Sequence, residues 1–172
     1  MSHVAPRMPH GLARLNAASE DHARELLAET CGSSHFAREL TARRPFASTP
    51  ELLAEAEAVA TSMRRDDWLE AFACHPRIGD PVALAADTAE SAEQAGMRNA
   101  DEATAQRIAA LNDAYEARFG FIYLVCASGR SPDELLQILE SRIDGDVTTE
   151  WQVAAAQQRQ ITALRLRALA DG

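Results

Sequence analysis

The 172-residue sequence predicts an all-α protein: a single-domain helical bundle over residues 1–172, with about seven to nine helices. Three observations carry that expectation. Apolar residues recur at three- and four-residue spacing along most of the chain. Residue types that open helices precede several of those stripes. No internal repeat and no Gly/Ser- or Pro-rich linker divides them.

Taken in order, Ser19 is a cap for a helix with Glu20 and Asp21 in its first turn and Ala23, Leu26 and Leu27 on one face, stopping at Cys31-Gly32. Phe36 and Leu40, four apart, mark a short helix that ends before Pro45. Thr49-Pro50-Glu51 reads as an N-cap followed by proline at the first helical position, and Leu52, Leu53, Ala56, Val59, Ala60 and Met63 form the stripe behind it. Trp68, Leu69 and Phe72 fit a further short helix, interrupted by the segment Cys74–Pro81. Between Ala83 and Ala103 the chain is rich in alanine and acid, with weak periodicity. Ile108, Leu111, Ala114 and Tyr115 restore a helical stripe. The apolar run Phe119–Cys126 fits a buried strand or a buried helix segment, and periodicity does not choose between them. Ser131-Pro132-Asp133-Glu134 is a capping box opening a helix through Leu135, Leu136, Leu139 and Ile143. After the turn Asp144-Gly145-Asp146, a last helix runs from about Glu150 to Leu169 with Val153, Ala154, Ile161, Leu164 and Leu169 on its apolar face.

Composition narrows the function classes. The chain is 47% hydrophobic and 25% charged, as in soluble globular proteins. No apolar run approaches the roughly 20 residues of a membrane span, and the opening Met1–Arg7 lacks a signal-peptide core, so a cytoplasmic location is expected. A net charge of −9 argues against nucleic acid and anionic membrane as partners. Cys31, Cys74 and Cys126, odd in number and widely spaced, read as buried thiols in a reducing compartment. All 17 basic residues are arginine. Without a lysine amine, Schiff-base catalysis, a pyridoxal phosphate anchor and a Walker-type phosphate loop are excluded.

Three segments could carry chemistry. In Cys74-His75-Pro76-Arg77-Ile78-Gly79-Asp80-Pro81, two prolines and a glycine end a helix and fix the backbone, presenting the His75 imidazole from a rigid turn. That suits a proton-transfer group. The same residues also fit a helix-terminal histidine favoured by the macrodipole, with Asp80 capping the next element of the chain. In Glu90-Ser91-Ala92-Glu93-Gln94-Ala95-Gly96, a carboxylate beside an amide could hold a heterocycle with urea-like edges, or could be a solvated acidic helix face. From Phe119 to Ser131, apolar groups could wall a dry pocket, with backbone amides and Arg130 for an anionic ligand; a core segment leading into the Ser131 cap fits equally. Cys31, His35, Cys74 and His75 have zinc-binding atoms at a spacing unlike structural zinc sites, and no metal is expected. A cysteine hydrolase pairing Cys126 with His75 competes with an inert Cys126 thiol at the end of an apolar run.

Together these segments resemble the 2-oxo-4-hydroxy-4-carboxy-5-ureidoimidazoline (OHCU) decarboxylases of urate degradation. The resemblance runs through Leu15-Asn16, Cys31-Gly32-Ser33-Ser34, Arg44-Pro45-Phe46, His75-Pro76-Arg77-Ile78-Gly79, Glu93-Gln94-Ala95-Gly96, Asn112-x2-Tyr115-Glu116, Phe119-Gly120-Phe121, Gly129-Arg130-Ser131 and Ile161-x2-Leu164-Arg165-Leu166. It implies an all-helical fold, usually a homodimer, working without metal or organic cofactor and forming S-allantoin and carbon dioxide. It also implies roles: His75 as catalytic histidine, Glu93 as catalytic carboxylate, and Pro76, Gln94 and the backbone of Val125, Cys126, Ala127 and Gly129 as substrate contacts. Phe119 and Arg130 join that set from the residue reading. The chain departs from the family where Glu90 stands in place of a common serine among the substrate contacts: either Glu90 and Ser91 take over that contact or a polar contact is lost. Phe36 replaces a common tryptophan, and Gln157 and Gln160 a usual Glu and Lys. Ala170-Asp171-Gly172 is unlike a Ser-Lys-Leu peroxisomal address, consistent with a cytosolic enzyme. Two other readings stand beside this one: a non-catalytic helical interaction domain, and a hydrolase of the same pathway that opens the 5-hydroxyisourate ring.

Overall fold

Helices form where caps and apolar stripes coincide. A computed structural model describes residues 8–86, 88 and 92–172. Among them are nine α-helices, a 3₁₀ helix and no strand, which meets the all-α expectation. In order they are α1 (His10–Ala17), α2 (Glu20–Cys31), α3 (Ser34–Ala42), α4 (Thr49–Ser62), α5 (Arg65–Ala73), α6 (Pro81–Ala85), the 3₁₀ helix Ala95–Asn99, α7 (Glu102–Phe119), α8 (Pro132–Ile143) and α9 (Val147–Asp171). No helix among the described residues is long and apolar enough to cross a membrane.

The caps explain most boundaries. Ser19 Oγ accepts from the His22 N–H, and Gly32 closes α2 at φ 84°, a left-handed conformation that suits glycine. The α8 capping box is reciprocal: Glu134 N donates to Ser131 Oγ at 3.3 Å and Ser131 N to Glu134 Oε2 at 2.7 Å. Two boundaries differ from expectation by the rules of capping. Ser48, not Thr49, caps α4 by accepting from Glu51 N, which moves Pro50 one position into the first turn. The last helix opens at Val147, because Asp146 Oδ1 takes the N–H groups of Thr148 and Thr149. Helix α1 has no counterpart in the sequence reading. It starts at Pro9 without a side-chain cap. Its Gly11 lies against α9, where a Cβ would fall 2.1 Å from the Leu169 carbonyl oxygen.

The chain divides into two units, Met1–Glu70 with Arg159–Gly172, and Ala71–Gln158. The first buries Leu12, Leu15, Leu27, Phe36, Leu40, Phe46 and Leu52 almost completely. Two family-like motifs serve as fasteners in it. Asn16 donates to Phe46 O at 2.7 Å and accepts from Phe46 N at 2.9 Å, while Arg44 Nη1 reaches the Leu15 and Ala18 carbonyls at the end of α1. The second unit centres on aromatic rings: Tyr115 packs on Phe119 at 4.6 Å and on Tyr123 at 5.5 Å between centroids, and Phe121 on Phe72 at 5.4 Å and on Trp151 at 5.5 Å.

The apolar run after α7 is neither strand nor helix. Gly120, at φ 78°, ends α7, and the chain from Phe121 onward runs without regular structure, although Tyr123, Leu124 and Val125 are buried. Buried backbone outside a ladder needs other partners. Side chains supply them: Arg142 Nη1 donates to Leu124 O at 2.7 Å, Gln157 Oε1 accepts from Cys126 N at 2.8 Å, and Arg130 Nε donates to Cys126 O at 3.0 Å. The thiol expectation is corrected here. Cys31 is buried, Cys126 half-buried and Cys74 exposed, because Cys74 follows the last turn of α5, where the helix breaks and the chain leaves the core.

Candidate active site

The turn after α5 is held by backbone and side-chain bonds along its length. His75 N closes it on Phe72 O at 3.2 Å. Ile78 O accepts from the buried Asn112 Nδ2 at 3.0 Å, and Gly79 N donates to Gln94 Oε1 at 2.9 Å. Gln94 Nε2 reaches back to Arg77 O at 3.4 Å. Gly79 adopts φ 79°, and a Cβ there would meet Met97 Cε at 3.2 Å. Asp80 then caps α6, its Oδ1 accepting from Val82 N and Ala83 N, as the capping reading anticipates.

Arg77 and His75 leave this turn in different company. The Arg77 guanidinium forks to Asp113 at 2.7 Å and Glu116 at 2.8 Å on α7. Those bonds, Glu116 first and Asp113 second, hold it above the usual guanidinium range. It anchors the turn. The His75 ring is half-buried and meets Gln158, a wholly buried side chain of α9, with Nε2 2.9 Å from Gln158 Oε1.

The three candidate segments converge. Gln94 joins the second to the first through its two bonds to the Arg77–Gly79 backbone. Gly96 joins the second to the third: a Cβ there would fall 2.3 Å from the Arg130 carbonyl oxygen, so only glycine fits this approach. Gln157, next to Gln158, ties Cys126 to α9. Glu93 is half-buried immediately before Gln94, and Pro76 is half-buried immediately after His75. Val125 and Ala127 are buried. Ala127 O accepts from Arg130 N at 3.1 Å across a turn with Gly129 at φ 78°. Arg130 is half-buried and turns back onto its own loop at Cys126 O. Phe119 is 5% exposed and packs in the aromatic cluster with Tyr115 and Phe121. Glu90 and Ser91 lie outside the described residues. Among the described residues, no three His, Cys, Asp or Glu side chains gather as a metal-sized group.

Several residues that build this region are not among those the sequence singles out. Gln158 stands on the same helical face as Ala154 and Ile161, a polar residue in an apolar stripe, and that spacing is the signal that could have found it. Behind the Leu124–Cys126 segment sits a buried trio. Glu150 accepts from the Tyr115 hydroxyl and from Arg142, whose guanidinium also covers the Tyr123 ring at 4.9 Å. Burial first, and the Glu150 acceptor second, push the Tyr115 phenol above its ordinary range, so it stays a donor.

Fold and site together define an all-helical protein in which a proline-flanked histidine meets a buried glutamine, and the turn that carries it is bonded to Gln94. Comparison with known proteins gives the class its name. The chain belongs to the OHCU decarboxylase family, whose sequence model matches residues 16–167. It is 33% identical over 144 residues to the uric acid degradation bifunctional protein TTL of Arabidopsis thaliana, covering 81% of this chain and 44% of that protein. It is 31% identical over 126 residues to the 2-oxo-4-hydroxy-4-carboxy-5-ureidoimidazoline decarboxylase of Haloferax volcanii, covering 72% and 73%. The chain thus spans less than half of the bifunctional Arabidopsis relative and about three quarters of the Haloferax enzyme. A solved OHCU decarboxylase, crystallised in the presence of (S)-allantoin, superposes with a TM-score of 0.77 at 29% identity, over 90% of this chain and all of that one. An (S)-allantoin synthase shares the fold, with a TM-score of 0.73 at 19% identity, over 93% of this chain and 53% of that one.

Proposed function

We propose that this chain decarboxylates 2-oxo-4-hydroxy-4-carboxy-5-ureidoimidazoline to (S)-allantoin and carbon dioxide, as one carboxy-lyase domain over residues 1–172 working without metal or organic cofactor. The observation that carries the reading is the pre-built His75 turn, bonded to Gln94 beside Glu93 and to Gln158. Such a turn orients a proton-transfer group before substrate arrives. Family membership supplies the substrate class.

In this mechanism the bond from the ring carbon to the carboxylate breaks, and its electron pair moves into the conjugated imidazolone. The substrate is its own electron sink, which fits a chain with no lysine to form an imine. His75 takes the proton of the substrate hydroxyl or hydrogen-bonds to it. Pro76, the Val125–Gly129 backbone and Gln94 hold the ring so that the carboxylate stands out of its plane, and Glu93 delivers a proton to one face of the carbanion. One-sided protonation is the advantage over unaided decay, which yields racemic product. A cytoplasmic homodimer completes the proposal.

The test supplies urate with urate oxidase and follows both carbon dioxide release and the circular dichroism of (S)-allantoin. Wild-type protein releases carbon dioxide and gives optically active product. His75→Ala gives racemic allantoin with unchanged helical content. Full stereoselectivity in that variant removes His75 from the chemistry, and wild-type protein that releases no carbon dioxide above the unaided rate leaves the hydrolase or the non-catalytic interaction domain.

A further inference from the structure

We propose that Gln158 is a positioning residue that holds His75 in the Nε2–H tautomer and so makes Nδ1 the nitrogen that accepts the substrate's proton. Gln158 is wholly buried on α9, and its Oε1 lies 2.9 Å from His75 Nε2. A carboxamide oxygen accepts hydrogen bonds and never donates them. A bond through that oxygen therefore requires the ring's proton at Nε2, and the lone pair of the neutral imidazole is then at Nδ1.

The neighbouring residue supports the same design. Gln157 points about 100° further round the helix and its Oε1 takes the Cys126 N–H at 2.8 Å. Two successive amides of one helix thus fix the proton-transfer ring and the backbone of a second site segment. Each does so without charge. A carboxylate at position 158 would also accept from Nε2–H, but it would add a negative charge that favours the imidazolium. The amide orients the ring without that charge. When His75 takes up a proton at Nδ1, the Nε2–H to Gln158 bond persists and becomes charge-assisted, so Gln158 supports the ring in both states.

The proposal builds on the decarboxylase reading for its kinetic arm, and its spectroscopic arm stands apart from it. The imidazole nitrogens are labelled with ¹⁵N in the full chain, and His75 is assigned by its loss in His75→Asn. Wild-type protein, above the ring's titration, shows a protonated, pyrrole-like Nε2 and a pyridine-like Nδ1. The reverse pattern overturns the proposal even if the protein proves inactive. Gln158→Leu, apolar and without an acceptor, loses that tautomer preference. Its kcat falls about 10- to 100-fold, on the scale of losing the orienting partner of a metal-ligating histidine, with KM changed by no more than about threefold. Gln158→Glu, which keeps an acceptor, keeps the proton at Nε2. Gln158→Glu with the proton at Nδ1 alone, or Gln158→Leu with wild-type kcat, refutes the role. Should Gln158→Leu fail to fold, the wild-type spectrum still decides. A wild-type enzyme that turns over no substrate sinks the decarboxylase reading and leaves the tautomer to be read.

Discussion

Removing the Glu150 carboxylate probes the support behind the candidate site more sharply than any surface change. The Glu150 side chain is 3% exposed and that of Arg142 10%. In Glu150→Ala the guanidinium keeps the Leu124 carbonyl at 2.7 Å, the Tyr115 hydroxyl at 3.4 Å and the face of Tyr123, but it loses the counter-charge of the trio. Burial, the largest single influence, works against a charged Arg142; the bonds and charge of Glu150 together with the Tyr115 and Tyr123 phenols more than offset it. An uncompensated buried charge costs about 3–5 kcal/mol. For a chain of this size that corresponds to a fall in melting temperature of about 6–20 °C. It is also a large share of a total stability of about 5–15 kcal/mol. Two controls isolate the cause. Tyr115→Phe removes one donor and leaves the ion pair, at about 1–2 kcal/mol. Arg142→Met with Glu150→Leu removes both charges, and it costs less than Glu150→Ala alone. Urea unfolding followed by far-ultraviolet circular dichroism measures all three. Glu150→Ala within about 1 kcal/mol of wild type would show that the pair behaves like an exposed one and would refute the argument.

Gly96→Ala is expected to abolish most decarboxylation while leaving helical content intact, because its Cβ needs space held by the Arg130 carbonyl; wild-type turnover in that variant would mean the approach is not required. Asn16→Ala loses two bonds to the Phe46 backbone, and thermal melting should show a loss of about 1–3 kcal/mol. Glu93→Gln should lower kcat far more than it changes KM, and an unchanged kcat takes Glu93 out of proton delivery. Asp101, Glu134 and Asp146 have their carboxyls held below the ordinary range, foremost by backbone N–H donors at helix starts. A depressed folded value means stability that is present above the unfolded value, about pH 4, and is lost as pH falls through the folded one. The urea midpoint should therefore drop on acidification below about pH 4, and less steeply in Asp101→Asn with Asp146→Asn; a midpoint that rises would contradict the capping argument.

Much of this was legible in the residues, for local reasons. Ser19, Ser131 and the glycine after Cys31 act on their own helix ends, so their signals survive without tertiary knowledge. The segment after Phe119 was not legible, because its backbone is satisfied by Arg142, Arg130 and Gln157. Two of those lie on later helices, and nothing in the run itself announces them. Helix α1 was missed for the same reason: it has no side-chain cap, and its glycine is explained only by the Leu169 carbonyl beside it. The motifs were visible as a family pattern before their physics was. Asn16, Arg44 and Asn112 stand in motifs of the resemblance, and each proves to hold a backbone group of this protein.

The His75 turn shows why the structural and chemical readings of such a motif need not compete. Asp80 does cap the next helix, and Arg77 does anchor the turn to Asp113 and Glu116. Those bonds fix the backbone that carries His75, and the ring itself meets Gln158. A proton-transfer group gains from a fixed orientation only if the cost of fixing it is met before binding. If His75 is such a group, as proposed, ordinary folding interactions meet that cost: an asparagine on one carbonyl, a glutamine on one amide, a second glutamine on the ring. Loss of Asn112 should therefore reduce stability and stereoselectivity together, whereas loss of Glu93 should spare stability. That split separates residues that build the site from those that work in it.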